Sequence, residues 1–168
     1  MSAALLAFLH ARLAEDEAHA RAASCGPSGD DHWSLDEWFG REEPHSLIAA
    51  GNANHPTFLG HFTADPVPTA QAAHIARHDP ARVLAEVEAK RQLLDDILRA
   101  GHEWNEEDHW YSCAAARDHE GEPVCIDESR AGGPCDCGRD EQVERRARLL
   151  ALPYCGHADF RPEWAPKA

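Results

Sequence analysis

The chain has little positive charge: 16 lysines and arginines stand against 30 aspartates and glutamates, a formal net charge of −14. That balance opposes binding to phosphate backbones, where affinity rests on cationic side chains displacing condensed counterions, so nucleic acid is not expected as a partner. Long apolar runs are missing too. The longest, around Leu5–Leu9, meets His10 and Arg12, far short of the roughly 20 residues that span a bilayer, so no membrane segment is expected. The start shows no basic segment, apolar run and small-residue cleavage site in sequence, since Glu15, Asp16 and Glu17 follow almost at once, and a cytoplasmic location is the expectation. There is no glycine-rich phosphate loop, no Gly-x-Ser-x-Gly elbow and no cysteine beside a recognisable base, so no catalytic residue is nominated and the reading leans away from an enzyme. The segment Gly101–His109 has the flavour of a zinc-protease helix, but that chemistry needs a histidine four residues after the first, and Glu106 stands there.

What is present is enough for one core: 168 residues, 43% of them hydrophobic, predict a single domain over 1–168. The six cysteines are Cys25, Cys113, Cys125, Cys135, Cys137 and Cys155. In a reducing compartment they read as metal ligands, redox thiols or buried residues rather than as a disulfide framework. Zinc takes four tetrahedral ligands from thiolates and imidazoles, and Cys113, Cys125, Cys135, Cys137 and His119 offer five donors within a short acidic stretch. Gly132, Gly133 and Gly138 flank the Cys135/Cys137 pair and let the backbone curl around an ion. A structural Zn2+ is therefore expected, with those five as candidate ligands. The gaps between them are irregular and the pair is Cys-x-Cys, so reduced cysteines without metal, or a redox pair at Cys135 and Cys137, stay open as alternatives.

Periodicity sets the framework. Leu5, Leu6, Leu9 and Leu13 share a face at helical spacing over Ser2–Ala23, and Gly26-Pro27 ends that helix. Three short aromatic and aliphatic runs between His32 and Phe62, punctuated by Gly40, Pro44 and Pro56, predict a small antiparallel sheet. Thr69 caps a short helix to His78, and Asp79-Pro80 opens a longer one whose apolar positions Val83, Leu84, Val87, Leu94, Ile97 and Leu98 run to a stop at Gly101. The Cys/His-bearing loop at about 102–139 has neither period, and between Gly101 and Gln142 it holds 12 acidic and 3 basic residues, 3 − 12 = −9. So long a loop in a domain needs a reason to be ordered, which metal would supply. Asp140 caps a final helix with Val143, Ala147 and Leu150 inward and Pro153 at its end; Tyr154, Phe160 and Trp164 pack back on the domain. The tryptophans as a group read as core or sheet residues rather than a recognition surface. The class is α+β: an N-terminal helix, a small antiparallel sheet, two consecutive helices, a metal-ordered loop and a C-terminal helix.

The string His78-Asp79-Pro80-Ala81-Arg82-Val83-Leu84-Ala85-Glu86-Val87-Glu88-Ala89-Lys90-Arg91 and the ending Leu149-Leu150-Ala151-Leu152-Pro153-Tyr154 resemble an uncharacterised family of actinobacteria and their phages. The opening Leu6–Glu17 and the closing His157–Trp164 are similar as well. The resemblance implies a metal-binding insert between the long helix and the Leu-Pro-Tyr ending, and no catalytic residue. Within it, Cys155 stands where a small non-ligand residue is expected.

Function is read from this as a small zinc-stabilised cytoplasmic protein with an acidic surface and a non-enzymatic interaction or regulatory role, working on a protein partner. Two other classes are carried. His74 and His78 lie one helical turn apart with Asp79 beside them, a set that a metal-dependent hydrolase would use to activate water; a helix cap beside an exposed histidine is the plainer account of it. Alternatively, the acidic surface mimics nucleic acid and occupies a basic protein as a decoy.

Overall fold

The computed structural model describes residues 2–24, 31–35, 47–52, 55–58 and 69–165. Four α-helices carry it: α1 (Ala3–Ala23), α2 (Thr69–Arg77), α3 (Pro80–Arg99) and α4 (Arg139–Ala151). In α1 the buried residues Leu5, Phe8, Leu9, Leu13 and Ala20 fall on one stripe at spacings of three, four and seven. Ser2 sits just outside it, its Oγ accepting the Leu5 amide at 3.2 Å in the manner of an N-cap. Asp79 does the same for α3, accepting from the Arg82 amide at 2.8 Å, and Pro80 follows in a first turn that has no use for its missing N–H. Along α3, Pro80, Val87, Leu94 and Ile97 are buried, whereas Val83 and Leu84 are only half-buried.

The start of α4 differs from the expected cap at Asp140. Gly138 is the N-cap, in the left-handed region at φ 78° and without a side-chain hydrogen bond, and Asp140 and Glu141 lie in the first turn, where their charge suits the positive helix end. Val143, Ala147 and Ala151 face inward. Pro153 then tightens the chain into a single turn, Leu152–Tyr154, and a second such turn follows at Pro162–Trp164.

The α+β class is corrected. The described fold is mostly helical, with helices of 21, 9, 20 and 13 residues, and the small antiparallel sheet expected over 32–62 is not supported as a layer of it. Among the described residues, extended backbone there is limited to Trp33–Leu35, Leu47–Asn52 and His55–Phe58, with a slip in register between Ala49 and Asn52. Extended segments of three, six and four residues are too short and too few to set the class of a fold built on four helices. The expected runs at 36–39 and 59–62, with Trp38, and Cys25, lie outside the described residues.

By contacts the chain divides into two compact units, Met1–Ala11 with Gln92–Ala168, and Arg12–Arg91. The first has a core of Leu5, Phe8, Leu9, Leu94, Ala147, Ala151 and Trp164. Phe8 is its hub, with ring centroids 4.9 Å from Trp164, 6.0 Å from Phe160 and 6.3 Å from Tyr154, so the aromatic tail does return to the core. In the second unit Leu13, Ala20, Pro80 and Val87 are buried, and Glu17 is shared between Arg21 and Arg91. Among the described residues no helix is long and apolar enough to cross a membrane.

Candidate metal centre

Between α3 and α4 the backbone folds through turns that aspartate and asparagine side chains close. The Asn105 side-chain oxygen accepts the amides of Glu107 and Asp108 at 3.1 and 3.0 Å, Asp108 accepts that of Trp110 at 3.0 Å, and Asp118 accepts those of Glu120 and Glu122, both at 2.9 Å. Each is a short polar side chain standing in for a backbone acceptor. Asp127 takes the Ser129 amide and the Arg130 guanidinium at 3.0 and 2.9 Å. Arg130 then reaches Asp136 at 2.7 Å, and Asp136 accepts the Ala114 amide at 3.0 Å. Arg130 also donates to the Trp110 carbonyl. Two distant stretches of the loop are thereby tied together, and the Gly132 amide bonding the Ala114 carbonyl at 2.9 Å completes the tie.

These ties bring four donor atoms to one place. His102, Cys113, Cys135 and Cys137 each point one ligand atom into a group whose members all lie within 4.8 Å of one another. His102 Nδ1 is 3.5 Å from Cys113 Sγ and 3.8 Å from Cys137 Sγ, and the Cys135 and Cys137 sulfurs are 3.6 Å apart. A tetrahedral zinc with Zn–S near 2.3 Å and Zn–N near 2.05 Å has edges of about 3.8 Å between sulfurs and about 3.5 Å between sulfur and nitrogen. These three separations fall on those values to within a few tenths of an ångström. Cys113 is buried, and the other three are half-buried. The remaining ring nitrogen of His102, Nε2, lies 3.8 Å from an Asp140 carboxylate oxygen, the side on which a carboxylate orients a metal-bound imidazole.

The electrostatics differ from thiol to thiol. Burial pushes the Cys113 thiol up. Burial also opposes ionisation of Cys137, but hydrogen bonds from the Glu103 and Arg139 backbone, His102 and Cys113 outweigh it and bring the thiol down to about 6. Cys137 thus favours the thiolate, the form that binds metal. The Ala114 amide, then the Cys113 thiol and Arg130, hold Asp136 at about 2.

Of the residues nominated from sequence, Cys113, Cys135 and Cys137 meet, while Cys125 and His119 lie outside the group. Cys125 is buried, and its thiol points to the Trp110 carbonyl at 3.9 Å. His119 stands by the Trp104 ring, centroids 6.3 Å apart. Cys155 is exposed. His102 is the donor outside the nominated five: the sequence offers it only as the first histidine of a zinc-protease helix, a pattern that Glu106 breaks. The usable signal was position: it follows Gly101 at the end of α3 and enters the cysteine-bearing loop. The other metal set does not form a group. His74 and His78 stack at 4.3 Å between centroids, but Asp79 is occupied as the α3 cap and by the Trp33 amide at 3.3 Å. Nor do the tryptophans behave alike: Trp164 is buried, whereas Trp104 and Trp110 are exposed.

One family model matches residues 2–166, that of a family of unknown function (DUF6221). No curated protein and no solved structure matches the chain.

Proposed function

The chain belongs to this family of unknown function, so its role has to be argued from its own residues, and we propose that His102, Cys113, Cys135 and Cys137 hold one structural Zn2+. The observation that carries this is the convergence of three sulfurs and one imidazole nitrogen within 4.8 Å of one another, with the His102–Cys113, His102–Cys137 and Cys135–Cys137 separations at the edge lengths of a tetrahedral zinc site. Four protein donors fill the coordination shell, leaving no position for water or substrate, which favours a structural over a catalytic ion. The loop's own apolar cluster of Cys113, Ala116 and Val124 is small, so ion binding would provide much of the free energy that orders it. The finished protein presents a fixed acidic surface, net −9 over Gly101–Gln142 by 3 − 12, and acts by binding a protein partner rather than by catalysis. A thiolate site suits a reducing compartment, so a cytoplasmic setting belongs to the same proposal. So does the actinobacterial or phage context implied by the sequence resemblance.

The test is elemental analysis of protein purified without a histidine tag under reducing conditions, on the native chain and on His102→Ala, His119→Ala and Cys125→Ala. Close to one zinc per chain is expected in the native protein and in the His119 and Cys125 variants, with loss in the His102 variant. Zinc that survives His102→Ala but not His119→Ala or Cys125→Ala would replace this ligand set by another.

A further inference from the structure

The acidic residues of the metal loop divide by kind. Asp108, Asp118, Asp127 and Asp136 are engaged by amides or by Arg130. Glu103, Glu106, Glu107, Glu120 and Glu122 are exposed, and among the described residues their carboxylates meet no hydrogen-bond or ion-pair partner. Glu103 adjoins Trp104 in sequence, Glu106 and Glu107 follow two and three residues on, and Glu120 adjoins His119. Trp104 is 41% exposed and is flanked by the rings of His109 and His119, at 6.2 and 6.3 Å between centroids. Beside it opens a cleft of about 510 Å³ lined by Gly101, His102, Trp104, Ala115, Ala116 and Arg117. The Arg117 guanidinium is itself engaged by the Gly121 carbonyl at 2.9 Å.

Tryptophan is enriched at interfaces, where a partner covers its large ring. An indole face attracts cations, and unpaired carboxylates within three residues of it in the chain add to that attraction while repelling phosphate and anionic lipid. The small alanine side chains of the cleft suit the methylene stem of a long basic side chain, which lies on apolar surface while its charged end stays near water. We propose that this face of the metal loop docks a basic segment of a protein partner, a lysine or arginine lying over Trp104 with its neighbours meeting Glu103, Glu106 and Glu107. The inference deepens the interaction role proposed above by naming the chemistry of the partner and the surface it uses.

The experiment titrates tag-free, full-length protein with a synthetic peptide of alternating lysine and arginine, followed by calorimetry and by indole fluorescence, with spermine and a glycine-serine peptide as comparisons. Trp104→Ala leaves the charge unchanged and is expected to weaken the peptide about fivefold, the size of a cation–π contact, with Trp104→Phe recovering part of the loss. Glu106→Gln with Glu107→Gln is expected to weaken it further than Asp95→Asn with Asp96→Asn, which removes the same charge from α3. Circular dichroism and zinc content are read on every sample. No binding by the native chain, binding indifferent to Trp104, equal effects of the two double variants, or spermine binding as tightly as the peptide would each overturn the proposal. Zinc content separates the two claims: Trp104-dependent binding by zinc-free protein upholds docking and sinks the metal site, and zinc-loaded protein that ignores the peptide does the reverse.

Discussion

One compact unit holds two regions that are built on opposite principles. Around Phe8, large side chains from α1, α3, α4 and the tail fill a core with Leu5, Leu94 and Trp164, and order there follows from apolar burial. In the loop between α3 and α4 the corresponding cluster is Cys113, Ala116 and Val124, and order rests on aspartate-closed turns, Arg130 and four converging donors. The first region is specified by side-chain volume at helical spacing. The second is specified by donor chemistry at positions with no period, so each should fail to a different insult.

The largest expected effect is on the loop alone. Chelation, or Cys113→Ser, should abolish protection of the loop amides in hydrogen exchange while the far-UV helix signal largely persists; loss of both together would make the two regions one cooperative structure. Next comes Phe8→Ala, which removes the hub of the aromatic core and should cost about 3–5 kcal/mol in denaturant unfolding. Zinc content below the transition should be unchanged. Gly133→Ala is a smaller probe of the loop: its new Cβ would meet the Arg130 carbonyl oxygen at 2.7 Å, and backbone has to move to relieve it, at about 1–3 kcal/mol. Its mark is faster zinc transfer to a chelator with the core melting little altered. The smallest is Asp79→Ala, which deletes the α3 cap at about 1 kcal/mol of thermal stability and should leave zinc content untouched. A fall in metal on that variant would point instead to the His74, His78 and Asp79 set.

The helical region was largely legible because its signals are local. Leucines at helical spacing, Asp79-Pro80 and Pro153 mark ends and faces without reference to the rest of the chain, and α1, α2, α3 and α4 follow them closely. Even there the start of α4 moved, since Gly138 supplies a left-handed turn that no side chain announces. The sheet was over-read: short apolar runs between turn formers do not tell a layer of the fold from a few short extended segments beside helices. At the metal centre, residue type nominates donors, but only tertiary placement selects them. Cys113 and Cys125 are equally buried thiols in the same loop, and buried cysteine is as often packing as ligand; Asp136 and Arg130 bring one to the group and leave the other beside Trp110. His102 was hidden by its place at the end of a helix rather than among the cysteines.

The central claim is the identity of the four donors, and X-ray absorption at the zinc edge of the tag-free protein tests it most directly. The account predicts a shell of three sulfurs near 2.3 Å and one nitrogen near 2.0–2.1 Å, with the nitrogen lost in His102→Ala. A four-sulfur shell, which would draw in Cys125, or a shell of nitrogen and oxygen alone, would contradict it.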